Sequence, residues 1–234
     1  MHRSTLATAV VVLCILAGCG GVAPTASPAV SATQSPAVSP PAQGAARALP
    51  PGAMEPGTSF GEADGTRYTF TVPAPGWSNY PESGCCVIFE GGDADGAIIF
   101  FAGDIASLYA RACESSGTEF KSGPTVDDLA TALGSLQDFE VSAPTNVTLS
   151  GFQGKRVKVT VPLDVNVGNP ACDEGNYSLT PGRHYQAAGQ TDDNWILDVG
   201  GKRLVPTFAT TTKTPADVLA QVEQIRDSLV IERP

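Results

Sequence analysis

Two short apolar runs joined by a pair of glycines constrain the fold of this chain more than any other feature. Residues 195–205 are Trp-Ile-Leu-Asp-Val-Gly-Gly-Lys-Arg-Leu-Val. Two adjacent glycines accept the positive φ angles of the tight turn that matches the twist of an antiparallel strand pair. This turn places Leu197 opposite Leu204 as an apolar pair on one face. The next pair, Asp198 and Arg203, is predicted to form an ion pair on the other face.

Alternating and compact apolar runs predict further strands elsewhere in the chain. Residues 68–72 and 155–161 alternate between apolar and polar side chains, as half-buried strands do. Residues 87–89 and 97–101 are continuous apolar runs separated by a turn rich in glycine and aspartate. Because most of these runs are joined by tight turns, the sheet is predicted to be largely antiparallel.

Two segments begin as helices do. Thr125 and Asp128 have the spacing of a capping box, and residues 214–217 (Thr-Pro-Ala-Asp) repeat the design with proline at the first helical position. The apolar positions that follow at helical spacing are Val126, Leu129, Ala130, Leu133 and Leu136 in the first segment and Val218, Val222, Ile225 and Leu229 in the second. We therefore predict an α+β fold, a largely antiparallel sheet with two main helices packed on it.

The N-terminal residues are typical of a secreted protein. Arg3 precedes an apolar run at residues 6–16, which is too short for a membrane-spanning helix. The sequence Leu-Ala-Gly-Cys at residues 16–19 resembles the lipobox of bacterial lipoproteins, where cleavage before the cysteine exposes its thiol for lipid attachment. We therefore predict a signal peptide at residues 1–18 and a lipid anchor on Cys19, with two or three acyl chains for durable binding. This anchor predicts a location at the extracytoplasmic face of the cell membrane.

A tether and one folded domain are predicted to follow the anchor. Residues 19–56 are rich in proline, alanine and serine and almost uncharged, which is typical of a disordered spacer. Residues 57–234 are long enough for a single extracytoplasmic domain with its own core. The whole chain carries 14 Lys and Arg against 24 Asp and Glu, a net charge of −10. Since this charge repels phosphates, the sequence predicts no nucleic-acid partner.

Several short motifs within residues 66–232 resemble an uncharacterised family of small actinobacterial envelope lipoproteins. They are Phe-Thr-Val-Pro at 70–73 followed by Gly76 and Trp77, Gly-Pro-Thr-Val-Asp-Asp-Leu at 123–129, Gly-Lys-Arg-Val at 154–157, Trp-Ile-Leu-Asp-Val at 195–199 and Asp-Ser-Leu at 227–229. That family resembles in turn the PsbP-like α+β sandwich. The resemblance implies this fold and an auxiliary role in a larger assembly, and it brings no catalytic motif.

The predicted domain contains four cysteines, Cys85, Cys86, Cys113 and Cys172. In an oxidising compartment they are predicted to form two disulfides, for which three pairings exist. The family resemblance matches Cys113 and Cys172 to a recurring pair, which leaves Cys85 and Cys86 bonded to each other or free. Neighbouring residues in a strand point to opposite faces, which disfavours a vicinal bond. The competing arrangement joins Cys85 and Cys86 to different partners among the other two cysteines.

Candidates for catalysis and metal binding are few. His184 is a lone loop histidine, which is typical of a solvated side chain rather than of a triad or a zinc site. The Asp-Ala-Asp-Gly turn at residues 93–96 lacks the later ligands of a calcium loop. Trp77 and Trp195 are candidates for a groove, although alternation favours a core position for Trp195. The sequence therefore predicts no catalytic residue, no metal and no cofactor.

These observations favour a membrane-anchored, non-enzymatic binding or interaction module of the bacterial cell envelope. Its partner, an envelope protein or a small ligand, is not identified by the sequence. One alternative is a carrier lipoprotein for a small molecule or lipid, which needs a pocket of a few hundred Å³ or more between helix and sheet. Another is a carboxylate-based envelope hydrolase, which needs two acids facing one another in a cleft.

Overall fold

A computed structural model describes residues 46–80, 86–89 and 96–233 of the chain, without the side chains of Cys86 and Ala102. The predictions for Cys19, for Cys85 and for the calcium-like turn at residues 93–95 lie outside this part of the chain. The same holds for the signal peptide and most of the predicted tether. Within the described residues, none of the helices has the length and apolar composition needed to cross a membrane.

The architecture is a mainly β sandwich, so the predicted α+β fold class is wrong. Strands hold 44% of the described residues and helices only 14%. The two predicted helices are present, as α1 (Val126–Gly134) and α2 (Ala216–Asp227). The prediction failed because many of the strands are two to five residues long, and so short a run shows too little alternation to be recognised.

Seventeen strands are present in the described residues. In chain order they are β1 (Arg47–Ala48), β2 (Gly52–Ala53), β3 (Gly57–Ala63), β4 (Thr66–Val72), β5 (Trp77–Tyr80), β6 (Cys86–Phe89), β7 (Ala97–Ala102), β8 (Ser107–Tyr109), β9 (Glu119–Lys121), β10 (Glu140–Val141), β11 (Thr145–Leu149), β12 (Phe152–Thr160), β13 (Ser178–Thr180), β14 (Arg183–His184), β15 (Thr191–Val199), β16 (Lys202–Thr210) and β17 (Val230–Ile231).

These strands form two large sheets and two small hairpins. The main sheet has nine strands in the order β10-β12-β15-β16-β7-β6-β5-β2, with β11 pairing with β12 on the same edge as β10. The second sheet has the order β1-β3-β4-β17, and β8–β9 and β13–β14 pair separately. Every pair of described strands is antiparallel except β1 with β3.

The β15–β16 hairpin has the predicted register, with Leu197 opposite Leu204. The two glycines of its turn have φ angles of 65° and 84°, which glycine adopts without steric cost. The predicted ion pair between Asp198 and Arg203 is wrong. The Asp198 carboxylate accepts a backbone N–H of the turn at 2.7 Å, and Arg203 pairs with Asp104 instead.

Helix α1 begins with the predicted capping box, and α2 begins differently from its prediction. The Thr125 hydroxyl accepts the Asp128 N–H at 3.1 Å, and the Asp128 carboxylate accepts the Thr125 N–H at 2.9 Å. At α2, Pro215 is the capping residue rather than the first helical residue, and it has no side-chain cap bond. The Thr214 hydroxyl donates instead to the Gly96 carbonyl at 2.8 Å, so it joins α2 to the start of β7.

A hydrophobic core lies on each face of the main sheet. The first core fills the space between the main sheet, the second sheet and α2, and includes Phe70, Trp77 and Trp195. The interpretation of Trp195 as a core residue is therefore confirmed. The second core lies beneath α1 and includes Leu129 and Leu133. Val157 and Val159 of β12 are fully buried in this second core, as predicted. The same holds for Val161, which directly follows the strand.

The last part of the segment that the sequence assigns to the tether belongs to the fold. Residues 46–56, which the sequence assigns to the tether, contribute β1 to the second sheet and β2 to the main sheet. Met54, between β2 and β3, is buried in the first core. These eleven positions therefore connect the two sheets at their edges.

The disulfide implied by the family resemblance is present between Cys113 and Cys172, with an S–S distance of 2.05 Å. The bond joins the segment after β8 to the segment before β13. Backbone hydrogen bonds support the junction, since the Asp173 N–H donates to the Cys113 carbonyl at 2.9 Å and the Ser178 N–H donates to the Ala112 carbonyl at 2.8 Å. The disulfide thus holds together part of the layer that covers the second core.

Alkaline pH is expected to destabilise the fold through Tyr68. Burial raises the pKa of its hydroxyl to about 12, whereas an unfolded tyrosine titrates near pH 10. The contribution of Tyr68 to the free energy of unfolding is therefore fully present below about pH 10. Between about pH 10 and 12 only the unfolded state releases the proton, so this contribution falls by up to about 1.4 kcal/mol per pH unit. Chemical unfolding measured across this range checks the slope.

Tyr68→Phe is the matched control for this slope. The tyrosine ring stacks on Phe101 with 4.2 Å between centroids, and phenylalanine keeps this contact while removing the hydroxyl. The variant should show a shallower loss of stability above pH 10. An identical slope in the two proteins would contradict the assignment to Tyr68.

Candidate functional site

A cleft of about 780 Å³ lies beside the start of α1. Its walls come from the N-terminal turn of α1, from the β11–β12 hairpin and from the β15–β16 turn. The polar or charged residues of its lining are Thr125, Asp127, Asn146, Thr148, Gln153, Lys155, Asp198, Lys202 and Arg203. The cleft therefore joins parts of the chain that are far apart in sequence, and polar and apolar surface contribute to its lining in about equal parts.

The floor of the cleft is the face of the main sheet that continues beyond the start of α1. Asn146 lies opposite Lys155, and Thr148 opposite Gln153, in the β11–β12 ladder. Because side chains alternate along a strand, Gln153 and Lys155 lie on the same face as Val157, which packs beneath α1. The sheet face thus changes from apolar under the helix to polar in the cleft.

Arg203 holds the start of α1 over this floor. Its guanidinium donates to the Asp104 carboxylate at 2.8 Å, to the Thr125 carbonyl at 3.1 Å and to the Ser122 hydroxyl at 3.2 Å. These partners come from the loop before β8, the capping residue of α1 and the loop after β9. A charged group bonded in this way stabilises the position of the helix at one wall of the cleft. The sequence pattern gave no sign of this role, because it paired Arg203 with Asp198.

Lys155 occupies the centre of the floor with partners on two sides. Its ammonium group lies 2.7 Å from the Asn146 side-chain oxygen and 3.5 Å from the Asp127 carboxylate. Asp127 itself is largely exposed, with 79% of its side chain accessible. The lysine is therefore positioned by β11 and α1 together.

Gly154 permits the close approach of β12 and β15 below the cleft. A Cβ atom at this position would lie 2.0 Å from the Ile196 carbonyl oxygen, which is far inside van der Waals contact. Only glycine fits this backbone arrangement without a shift of one strand. Gly154 therefore contributes to the shape of the floor through its lack of a side chain.

The start of α1 favours negative charge. The free N–H groups of a first helical turn carry partial positive charge, and Asp128 already uses this environment. The backbone hydrogen bond from Thr125 lowers the pKa of the Asp128 carboxyl below its usual value. The first turn also carries Asp127, so its two aspartates offset the partial positive charge of the helix start at this wall of the cleft.

His184 is hydrogen-bonded but does not form a catalytic centre. Its Nδ1 lies 2.8 Å from the Ser178 hydroxyl across the β13–β14 pair. Ser178 is 2% exposed, so a substrate has no access to this hydroxyl. Among the hydrogen bonds and ion pairs of the described residues, none joins a carboxylate to the imidazole ring, as a triad would require. Neither residue lines the cleft.

No candidate metal site is present in the part of the chain that the structure describes. No three side chains of His, Cys, Asp or Glu come together there as ligands of one ion. Cys113 and Cys172 are bonded to each other and do not line the cleft. The arrangement at the cleft can therefore donate and accept hydrogen bonds and pair with charge, but it brings no nucleophile and base together.

No family model matches this chain, and a search of curated proteins finds no significant match either. The resemblance to actinobacterial envelope lipoproteins thus stays a prediction. Three of the stretches that carry it, residues 123–129, 154–157 and 195–199, meet at the cleft. The sequence analysis nevertheless predicted no binding site from these stretches, because the resemblance brings no binding or catalytic motif and does not show that they lie together.

Proposed function

We propose that this chain is a lipid-anchored, extracytoplasmic protein of the bacterial envelope that binds a polar partner in the cleft and catalyses no reaction. The cleft is the observation that supports this function. Its volume of about 780 Å³ lies within the range typical of ligand sites. Its polar lining includes lysine, amide, threonine and aspartate side chains, and no hydrogen bond of the described residues pairs a nucleophile with a base there. A cysteine anchor and a spacer suit the presentation of such a site to a partner.

A lipid carrier is a poorer description of the same cleft. An acyl chain gains free energy by leaving water for an apolar cavity, at roughly 0.8 kcal/mol per methylene. About half of the cleft lining is polar, and Lys155, Asp127 and Asp198 are charged, so the cleft offers an acyl chain only part of this gain. A polar small molecule fits the volume, and it is the alternative ligand that the experiment below distinguishes.

A carboxylate hydrolase also fits the cleft less well. Asp127 and Asp198 both line it, but each already has a partner within the chain. Asp127 faces Lys155, and Asp198 accepts a backbone N–H of its own turn. A glycosidase-type general acid needs an apolar environment that keeps its proton on, and both of these side chains are exposed to water. The two acids therefore lack the contrasting environments that acid and nucleophile require.

Site-specific photo-crosslinking in intact cells tests the proposed function. A photoreactive residue in place of the exposed Gln153 lies in the cleft, and one in place of Leu219 on α2 is the matched control on another exposed surface. We expect one discrete adduct from position 153 and no equivalent adduct from position 219. An adduct with the mass of a small molecule would identify a carrier instead. Equal labelling at the two positions would contradict a binding cleft.

The anchor is tested separately by Cys19→Ala. Because two or three acyl chains bind a membrane durably, loss of the acylated thiol should release the protein from the membrane fraction or stall its precursor. Detergent partitioning and the mass of the N-terminal peptide measure the two effects. A variant that partitions like the original protein, together with no acyl mass on Cys19, would contradict the anchor.

A further inference from the structure

We propose that residues 46–56 form a strap that opens first when tension acts between the membrane anchor and a partner held in the cleft. Its opening lengthens the tether while the cleft keeps its shape. The inference rests on the proposed function, since this tension arises only when the anchor and the partner are both bound. It goes further by naming the segment of the fold that responds to the tension.

The strap directly follows the rest of the predicted tether and precedes β3. Its first strand, β1, pairs with β3 at the edge of the second sheet, and its second strand, β2, pairs with β5 at one edge of the main sheet. Both strands are only two residues long. A pull on the tether therefore reaches these two short pairings before it reaches the rest of the fold.

Few side chains of the strap are buried. Met54 lies in the first core with 3% of its surface exposed, Leu49 is half-buried, and the other nine residues of the strap are exposed. The free energy of local opening depends largely on the apolar surface and the hydrogen bonds that a segment loses. Because the strap loses little of either, it opens at a lower free energy than the elements of the two cores.

The contacts of the strap are nevertheless specific. Gly61 of β3 has no side chain where Leu49 packs, since a Cβ atom there would lie 2.7 Å from the Leu49 Cδ1 atom. The Leu49 N–H donates to the Phe60 carbonyl at 3.0 Å, and the Met54 N–H donates to the Trp77 carbonyl at 2.8 Å. These contacts define one position to which the strap returns when the tension falls.

The side-chain amide of Asn79 also favours the closed strap. Asn79 is only 7% exposed, and its Nδ2 donates to the Pro50 carbonyl at 3.0 Å. Opening removes this acceptor from a buried polar group, which is unfavourable. The strap is thus closed at rest, although only a small number of contacts hold it.

The element after the strap is held by many more contacts. β3 pairs with β4 along seven residues, from Gly57 opposite Val72 to Ala63 opposite Thr66. Val72 and Phe70 of β4 are almost fully buried in the first core. Tension that has opened the strap must next break this ladder and the core beneath it. The first release therefore stops at residue 57.

The cleft lies toward the opposite edge of the main sheet. β2 ends this sheet at one edge and β11 lies at the other, with six strands between them. At about 4.8 Å per strand spacing, these two edges are roughly 34 Å apart. Neither the strap nor β3 and β5, with which it pairs, lines the cleft. Opening of the strap consequently leaves the walls of the cleft in place.

Single-molecule force spectroscopy of the full-length chain tests the proposal. One handle is attached at the N-terminus and the other to an azide-bearing residue in place of Gln153, so the tension follows the path from the anchor to the cleft. We expect a first, reversible step at a lower force than the main rupture. Eleven residues at roughly 3.3–3.6 Å each should add up to about 40 Å of contour length. A single rupture without this step, or a first step that also releases β3 and β4, would overturn the proposal.

Two truncations of buried side chains show which contacts control the first step. Met54→Ala removes the buried side chain of the strap, so at a fixed force it should release the strap at least about ten-fold faster. Val159→Ala is the matched control, because it removes buried atoms from the second core. It should speed the main rupture and leave the first step unchanged. Equal effects of the two variants on the first step would contradict the assignment of this step to the strap.

Hydrogen exchange in the absence of tension provides an independent measurement. In the Met54→Ala variant the amides at positions 49 and 54 should lose protection, whereas the amides of α1 and β12 should keep theirs. Loss of protection at α1 or β12 in this variant would mean that the strap and the cleft open together. That result also overturns the inference.

Failure of the inference differs from failure of the proposed function. If an adduct forms at position 153 in cells and the first force step is missing, the cleft binds a partner and only the inference fails. If the step is present but no adduct forms at position 153, the proposed function fails. The inference then fails with it, because no tension reaches the strap.

Discussion

Replacing both Cys113 and Cys172 by serine is expected to lower the free energy of unfolding by about 4 kcal/mol. The two residues are 59 positions apart, and a cross-link over a loop of this length removes much of the conformational entropy of the unfolded chain. The bond also holds the segments around β8 and β13 over the second core. Denaturant unfolding of the double variant and of the original protein measures the difference.

Reduction of the original protein provides the control for this prediction. A reductant should destabilise the original protein by a similar amount and leave the double variant unchanged. Peptide mapping without reduction should recover a fragment that joins residues 113 and 172. A double variant that still loses stability on reduction would reveal a disulfide that involves Cys85 or Cys86. A fragment that joins either of those residues to 113 or 172 would contradict the pairing.

Asp192→Asn is expected to cost about 3–5 kcal/mol of stability, because it leaves a buried arginine without its counter-charge. The Asp192 carboxylate accepts two hydrogen bonds from the Arg183 guanidinium, at 2.5 and 3.0 Å. The side chain of Asp192 is 1% exposed and that of Arg183 is 12% exposed. The guanidinium also lies 4.5 Å from the centre of the Tyr185 ring, so it cannot reach water easily.

Glu232→Gln is the matched control, because it removes one partner of an exposed pair. Arg67 and Glu232 lie 3.2 Å apart with 39% and 53% of their side chains exposed, so this change should cost less than about 1 kcal/mol. Replacing both buried partners with apolar residues, Arg183→Met with Asp192→Leu, should cost less than Asp192→Asn alone. Equal losses for Asp192→Asn and Glu232→Gln would contradict the importance of burial. Chemical unfolding at neutral pH measures all three variants.

The strands that were not predicted from the sequence show little or no alternation of apolar and polar residues. β3 contains Gly, Ser and Thr at several positions and only one large apolar residue, Phe60, so its alternation is weak. It was identifiable only from the Asp64 and Gly65 pair that forms its turn to β4, with φ angles of 48° and 73°. The two-residue strands β1, β2, β10 and β14 have no periodicity at all and exist because longer strands offer them a pairing edge.

The local sequence decides those features whose partners are close along the chain. The β15–β16 turn depends on two adjacent glycines, the capping box on Thr125 and Asp128, and the burial of α2 on its own apolar spacing, and all three are present in the structure as predicted. Such features follow from backbone conformation and from neighbours within a few positions. Both helices were predicted because their signals are local in this sense. The large share of strand was not predicted, because short strands carry no comparable local signal.

Only the tertiary structure decides which side chains form the cleft. Arg203 reaches Asp104, 99 positions away, and Lys155 meets Asp127 and Asn146 where α1 crosses the extended sheet. The periodicity of the sequence does not predict these contacts, because they depend on strand order and on where a helix begins relative to the sheet beneath it. Asp198 was an equally good partner for Arg203 by register alone. Arg203 does not pair with Asp198 because the loops around β8 and β9 place the Asp104 carboxylate and further oxygen acceptors within hydrogen-bonding distance of its guanidinium.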